Sequence, residues 1–245
     1  MRSYSRLAAA VVLAFTAAPA FAESESSWST YGGMWAVSDY VWRGVSQTQE
    51  DPTWQVEVGA EHESGFYAGA FLSGVDFTPA GADYRDGISY EVNAYLGWNQ
   101  DLNDVLNLDV SLTHIAYPGA KEDFDADFNE LSVALGFAEN YTATVTYSDN
   151  TVNLGSKGFY YQLAGEWGIG ESDYVWGASA GLYRLGSSLG GSYKDYEVYV
   201  AREFQNIAMK LSYHDTASYS DFLAESLGER HLADGRFVLS IGYQF

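Results

Sequence analysis

The sequence predicts an all-β chain closed into a twelve-stranded, antiparallel, up-and-down transmembrane barrel. Three observations carry this. Segments along the whole chain alternate apolar and polar residues with a period of two, the pattern of a strand with two unlike faces. The connections between these segments alternate short and long. The chain also ends on such a segment: Phe237, Leu239, Ile241, Tyr243 and the terminal Phe245 alternate with Arg236, Val238, Ser240, Gly242 and Gln244. Five apolar residues on one face, up to the last residue, suit a closing strand whose outer face meets lipid.

The start of the chain is consistent with export. Arg2 and Arg6 precede the apolar run Leu7 to Phe15, and Ala20-Phe21-Ala22 offers a small-x-small cleavage site. Residues 1–22 therefore read as a secretory signal peptide, 23–27 as a short polar leader and 28–245 as the barrel. The apolar run is shorter than the ~20 residues a spanning helix needs, and no later run reaches that length. This excludes a helical membrane protein. Abundant Gly (25), Tyr (20) and Trp (7) with only 4 Pro fit a β protein. With no Cys, disulfides and thiolate chemistry are ruled out.

Taken in order, the first segment is Trp28 to Arg43, whose phase is the least defined; Tyr40 and Trp42 are expected outward, Asp39 and Arg43 inward. In the second, Trp54, Val56, Val58 and Ala60 alternate with Gln55, Glu57, Gly59 and Glu61. Phe66, Ala68, Ala70 and Leu72 mark the third. Tyr90 to Trp98 form the fourth, with Glu91, Asn93 and Tyr95 on the wetter face. Leu106 to Thr113 form the fifth, with Asp109 and Ser111 inward, and Glu130 to Phe137 the sixth. The second half continues the pattern. Tyr141, Ala143, Val145 and Tyr147 alternate with Thr142, Thr144, Thr146 and Ser148, and Phe159, Tyr161, Leu163 and Trp167 oppose Tyr160, Gln162 and Glu166. Tyr174 to Leu182, Tyr196 to Ala201 and Ile207 to His214 precede the terminal strand. Trp54, Trp98, Trp167 and Trp176 sit near the ends of apolar faces, where interfacial girdles form.

The shorter joints are Glu63–Gly65, Asn99–Val105, Ala138–Asn140, Gly168–Asp173 and Glu203–Asn206. The longer ones are Gly44–Thr53, Asp76–Ile88, Pro118–Asp127, Asp149–Lys157, Leu185–Ser192 and Asp215–Gly235. An outer-membrane barrel with short periplasmic turns and long outer loops produces this alternation; a Greek-key sandwich does not. Twelve tilted strands enclose a backbone radius of about 12 Å, between filled eight-stranded barrels and open sixteen-stranded ones. A narrow pore fits that size, and the longest loop, Asp215–Gly235, is placed to constrict it.

The chain carries 12 Lys and Arg against 33 Asp and Glu; without Arg2 and Arg6 the balance is −23. This argues against nucleic acid or anionic lipid as a partner. The expected lumen-facing residues that would tune selectivity are Arg43, Glu57, Glu91, Asp109, Glu130, Glu166, Glu197 and Lys210. Glu61 and Asp195 are further acids, and Arg184 and Arg202 further bases. Two readings stay open for them: a transverse field that sorts solutes by charge, or a neutralising network that plugs the barrel. Tyr67, Tyr95, Tyr160 and Tyr199 are expected inward, as lumen filling or as stacking faces for sugar-like solutes.

No catalytic motif or cofactor-binding pattern is present. Of the four histidines, His62, His114, His214 and His231, His214 with Asp215 and the nearby Ser218 and Ser220 is the one considered for a hydrolytic site. Adjacent strand residues point to opposite faces, so spacing makes no triad, and an enzyme is not expected. Glu122, Asp123, Asp125 and Asp127 form a weak candidate loop for Ca²⁺ or Mg²⁺ but lack the spacing of an EF-hand. Bridging to lipopolysaccharide through divalent ions is the alternative role for this loop.

The run Ser38-Asp39-Tyr40-Val41-Trp42-Arg43-Gly44-Val45-Ser46-Gln47-Thr48 resembles the N-terminal motif of the TorF family of proteobacterial porins. His62 to Gly69, followed by Val75-Asp76-Phe77, is similar to that family's next hairpin, and Tyr117-Pro118-Gly119 to a further short match. The resemblance implies an outer-membrane barrel of porin type, passing small hydrophilic solutes, with neutral or cationic preference expected from the charge. A C-terminal Phe245 also resembles the signal read by barrel-assembly machinery. The alternative is a plugged barrel acting as a structural, adhesion or assembly protein through its acidic outer loops.

Overall fold

A computed structural model describes residues 27–79 and 81–245. The proposed signal peptide and most of the polar leader lie outside the described residues. Twelve strands form one closed barrel: β1 (Trp28–Val37), β4 (Thr53–His62), β5 (Phe66–Gly74), β6 (Tyr90–Asn103), β7 (Leu106–Ala116), β8 (Phe128–Phe137), β9 (Tyr141–Ser148), β10 (Gly158–Gly168), β11 (Tyr174–Leu185), β12 (Ser192–Phe204), β13 (Ile207–Ala217) and β14 (Arg236–Gln244). Each pairs antiparallel with its neighbour in sequence, and β1 closes the ring against β14 and β4. Full closure leaves no strand edge unpaired, which a sheet in hydrocarbon requires. Gly32 and Phe245 exchange two backbone hydrogen bonds (3.0 and 2.9 Å), so the terminal aromatic residue is part of the seam.

The period of two sorts the side chains. Trp54, Leu96, Val198, Leu211 and Phe237 stand on the outer surface at about half exposure or more; Phe237 reaches 71%. So many large apolar residues exposed on one surface are rare on a monomer in water and match a lipid-facing band. Gln55, Ser73, Thr146, Ser212 and Ser240 face inward and are buried. Among lumen tyrosines a second regularity appears. Tyr31, Tyr67, Tyr95 and Tyr199 lie across Gly59, Gly97, Gly69 and Gly177, each glycine being the partner or near neighbour on the adjacent strand; a methyl on any of these glycines would collide with the ring. The rings therefore lie against the wall rather than across the lumen, a use of strand glycine that depends on its lack of Cβ.

One expectation is corrected. The first strand ends at Val37, not Arg43, and Tyr40 and Trp42 do not face lipid. Ser38 is tied to the wall by its N–H to the Leu239 carbonyl and its Oγ to the Leu239 N–H (both 2.9 Å). The chain then turns into the lumen as a small hairpin, β2 (Val41–Trp42) and β3 (Val45–Ser46). Its two-residue connection is Arg43 (φ +49) and Gly44 (φ +82). Tight hairpins need positive φ at both central residues, which glycine supplies without strain at the second. Trp42 packs edge-on against Phe128 and Tyr183, and Tyr40 against Phe71. Interior aromatic packing thus competes successfully with a place on the lipid face.

The long connections lie at one end of the barrel and the short ones, with Phe245, at the other. At the long-loop end two apolar clusters cover the hairpin. One joins Val45 to Leu189, Tyr219, Leu223, Leu232 and Ala233; the other joins Tyr40 and Trp42 to Val75, Ile88, Ile115 and Phe128. Leu223 sits in α1 (Asp221–Leu227), where the Ser220 hydroxyl accepts the Leu223 N–H and caps the helix.

Candidate solute pathway

The inward hairpin is held at its base and its tip. At the base, Asp39 is buried and accepts the hydroxyls of Ser46 (2.6 Å) and Thr48 (2.8 Å), while Arg236 donates to it at 3.0 Å. At the tip, Gly44 lies against Thr216 and Asp195 so closely that a Cβ would come within 2.6 and 2.9 Å of their side chains. Arg43 is buried. Its Nη2 donates to Glu130 at 2.8 Å, and its guanidinium lies 4.3 Å from the ring centres of Trp42 and Tyr160 and 4.4 Å from Tyr183. Burial works against this charge, but Glu130 and the two tyrosines outweigh it and hold the Arg43 pKa above its ordinary value.

The hairpin divides the lumen. On the β9–β14 side a cavity of about 230 Å³ runs from Arg43, Tyr160 and Asp195 past Glu197 and Lys210 to Glu166 and Asn140, the last in a short turn. On the β5–β8 side a smaller cavity of about 50 Å³ is lined by Tyr67, Glu91, Tyr95 and Glu130. Tyr40 and Trp42 line both, so they form the wall between them.

Eight of the lumen acids fall into two groups. Three are paired with cations: Asp39 with Arg236, Glu130 with Arg43, and Glu197 with Lys210 at 2.6 Å. Five are held by neutral donors. Tyr95 donates to Glu57 (2.6 Å), Tyr67 to both oxygens of Asp109 (3.0 Å), Tyr199 to Glu166 (2.6 Å) and Tyr160 to Asp195 (2.9 Å). Glu91 accepts from Tyr40 (3.1 Å), Tyr117 (3.0 Å) and Asn93 (2.7 Å). Burial and the Glu91 carboxylate push the phenols of Tyr40 and Tyr117 well above the ordinary tyrosine range, so both remain donors. Among the described residues none of these five acids forms an ion pair; each is held by hydrogen bonds from neutral groups.

The residues singled out from sequence are not one constellation. Glu57, Glu91, Asp109 and Glu130 lie on the β4–β8 wall; Glu166, Glu197 and Lys210 lie on the β10–β13 wall, and Arg43 stands between. Glu61 pairs in register with Tyr67 on the inner face. Two expected bases do not face the lumen. Arg184 is exposed opposite the outward Phe159, and Arg202 spreads over Tyr174 and Phe204 with Asp173 at 3.3 Å. Both fall in the outward phase of their strands, and Arg202 suits the interface, where a long stem covers apolar surface while its head stays wet. Sequence reading missed the role of Asp39, Arg236 and Trp42. An Arg-Gly pair inside an aromatic run was the available signal for a turn.

His214 meets Ser212 at 2.9 Å and Glu197 at 3.6 Å, both through Nε2. A hydrolytic triad needs the serine and the acid on opposite ring nitrogens, so this is not one. His62 and His231 have local partners, Ser64 and Glu229, and His114 is exposed beside Asn129. In the acidic loop Asp127 accepts the Tyr117 N–H and Asp125 the Asp127 N–H. Among the described residues no three His, Asp or Glu side chains converge as a metal site, these four included.

A closed twelve-stranded barrel with a lipid-type outer belt and a polar, divided lumen defines a transmembrane barrel of the outer-membrane class. Residues 21–245 match the family model described as bacterial protein of unknown function (Gcw_chp), and the chain belongs to that family. No curated protein matches the sequence. Among solved structures, the KdgM porin is similar with a TM-score of 0.54 at 8% identity, covering 89% of this chain and 99% of that one. The KdgM porin in complex with disordered oligogalacturonate gives 0.53 at 8% identity, with the same coverage. The NanC porin gives 0.50 at 9% identity, covering 88% and 98%. At these identities the likeness is one of fold.

Proposed function

We propose that this protein is an outer-membrane pore for small hydrophilic solutes, neutral or cationic, narrowed by the inward hairpin 38–48. The observation that carries the reading is the set of five lumen carboxylates held by tyrosine and amide donors, none of them in an ion pair among the described residues. Fixed negative charge along a narrow passage favours cations and repels anions. The likeness to KdgM and NanC supports a porin, as does the resemblance of Ser38–Thr48 to the TorF family. The oligogalacturonate named with KdgM is a polyanion, and an acid-lined lumen does not suit it. The short turns are assigned to the periplasm, the long acidic loops to the lipopolysaccharide side, and Phe245 to recognition by assembly machinery. Stepwise conductance in planar bilayers tests the reading; protein that inserts without ever conducting would defeat it.

A second reading, a plugged barrel with a structural or adhesive role, draws support from the two apolar clusters that cover the hairpin. It predicts insertion without conductance and binding through the long loops.

A further inference from the structure

The seat of Arg43 has more than a strut requires. Three aromatic rings surround the guanidinium at nearly equal distance, 4.3 to 4.4 Å, and a single carboxylate closes the remaining side. Trp42 travels with the hairpin, but Tyr160, Tyr183 and Glu130 belong to the fixed wall on β10, β11 and β8. Planar guanidinium is the cation best matched to stacking on rings with a carboxylate in plane. Arg43 uses the seat incompletely: its Nε and Nη1 have no hydrogen-bond acceptor. Beside it, Asp195 is 5% exposed and lines the larger cavity; one oxygen is engaged by Tyr160, and the other, Oδ2, has no partner. The seat thus opens onto a cavity that reaches the short turns and carries a spare buried carboxylate oxygen.

We infer that Tyr160, Tyr183 and Glu130 form a binding site for guanidinium-bearing solutes, and that Arg43 is its tethered occupant. A solute of this class competes with Arg43 for the seat and, by taking it, releases the hairpin that divides the lumen. The inference deepens the pore reading above by naming the solute class, and rests on it for the consequence of release. The wall site itself is testable without conduction.

The test is Arg43→Ala, purified in detergent and titrated with ethylguanidinium chloride at millimolar concentration, with sodium chloride at equal ionic strength as control. The expected result is a saturable rise in Tm of about 2–4 °C once ligand exceeds its Kd several-fold, because a ligand that binds only the folded state stabilises it. The rise should be much smaller in the parent protein, whose seat is filled, and absent in Arg43→Ala/Glu130→Gln. If Arg43→Ala does not fold, Arg43→Gln keeps part of the stem and serves in its place. Equal responses in the single and double variants, or a response no greater than to sodium, would overturn the site. In bilayers, ethylguanidinium should block current through Arg43→Ala more than through the double variant. If none of the proteins conducts, the pore reading falls while the Tm series still decides the site.

Discussion

Replacing Glu130 by Gln removes one charge from the lumen and leaves the side chain's shape. Glu130 and Arg43 meet at 2.8 Å, with side chains 10% and 1% exposed. Breaking a buried pair by neutralising one partner costs about 3–5 kcal/mol, because the other charge stays buried without compensation. The Gln oxygen can still accept one hydrogen bond, which returns about 1 kcal/mol. The docked hairpin should therefore lose about 2–4 kcal/mol relative to the undocked one, and at about 1.4 kcal/mol per tenfold that shifts the ratio by roughly 30- to 700-fold. Single-channel recording reads this directly: Glu130→Gln should spend more time in a larger conductance state than the parent protein. Unchanged amplitudes and dwell times would refute the reasoning, provided the variant still runs as a folded barrel. The ion pair would then be an ornament on a hairpin held by its aromatic contacts alone.

Three other outcomes follow from the same geometry. Arg236→Met leaves Asp39 buried with two hydroxyl donors and no cation; the hairpin base should loosen, with faster proteolysis between residues 38 and 52 as the readout. Tyr67→Phe takes from Asp109 the phenol O–H shared between its two oxygens and leaves it only Asn99 at 3.3 Å, so urea unfolding in micelles should report a loss of about 1–3 kcal/mol. Leu96→Arg puts a charge in the outer belt and should cost about 2–4 kcal/mol of barrel stability in lipid if that face lies near the bilayer midplane, measured by reversible unfolding from liposomes.

The barrel was legible in the sequence because lipid and water impose opposite demands on alternate residues. Trp54, Val56 and Val58 against Gln55 and Glu57 could be read without knowing any neighbour, and so could the short and long joints. The hairpin was not legible. From Ala36 to Trp42 the phase is poorly defined, with Ser38-Asp39 polar together and Tyr40-Val41-Trp42 apolar together, and nothing in it marks that the chain leaves the wall at Ser38. Period alone cannot tell an aromatic residue packed on lipid from one packed on Phe128 inside the lumen. Arg184 and Arg202 were misplaced because a basic residue on a β strand was assumed to seek water inside, whereas the interface offered it outside. The acids were placed on the inner face by their phase, but their tyrosine partners come from other strands. Tyr67 and Asp109 are 42 residues apart, and Tyr160 and Asp195 are 35. Such pairs depend on register, which composition and spacing do not encode.

The central claim is that the lumen carries water and ions past carboxylates held by neutral donors rather than in ion pairs. The reversal potential of the reconstituted protein under a potassium chloride gradient measures this most directly. The account predicts a potential displaced toward the potassium equilibrium value, with the displacement shrinking at high salt as the fixed charge is screened. A potential displaced toward the chloride value, or the absence of any current from protein known to have inserted, would contradict it.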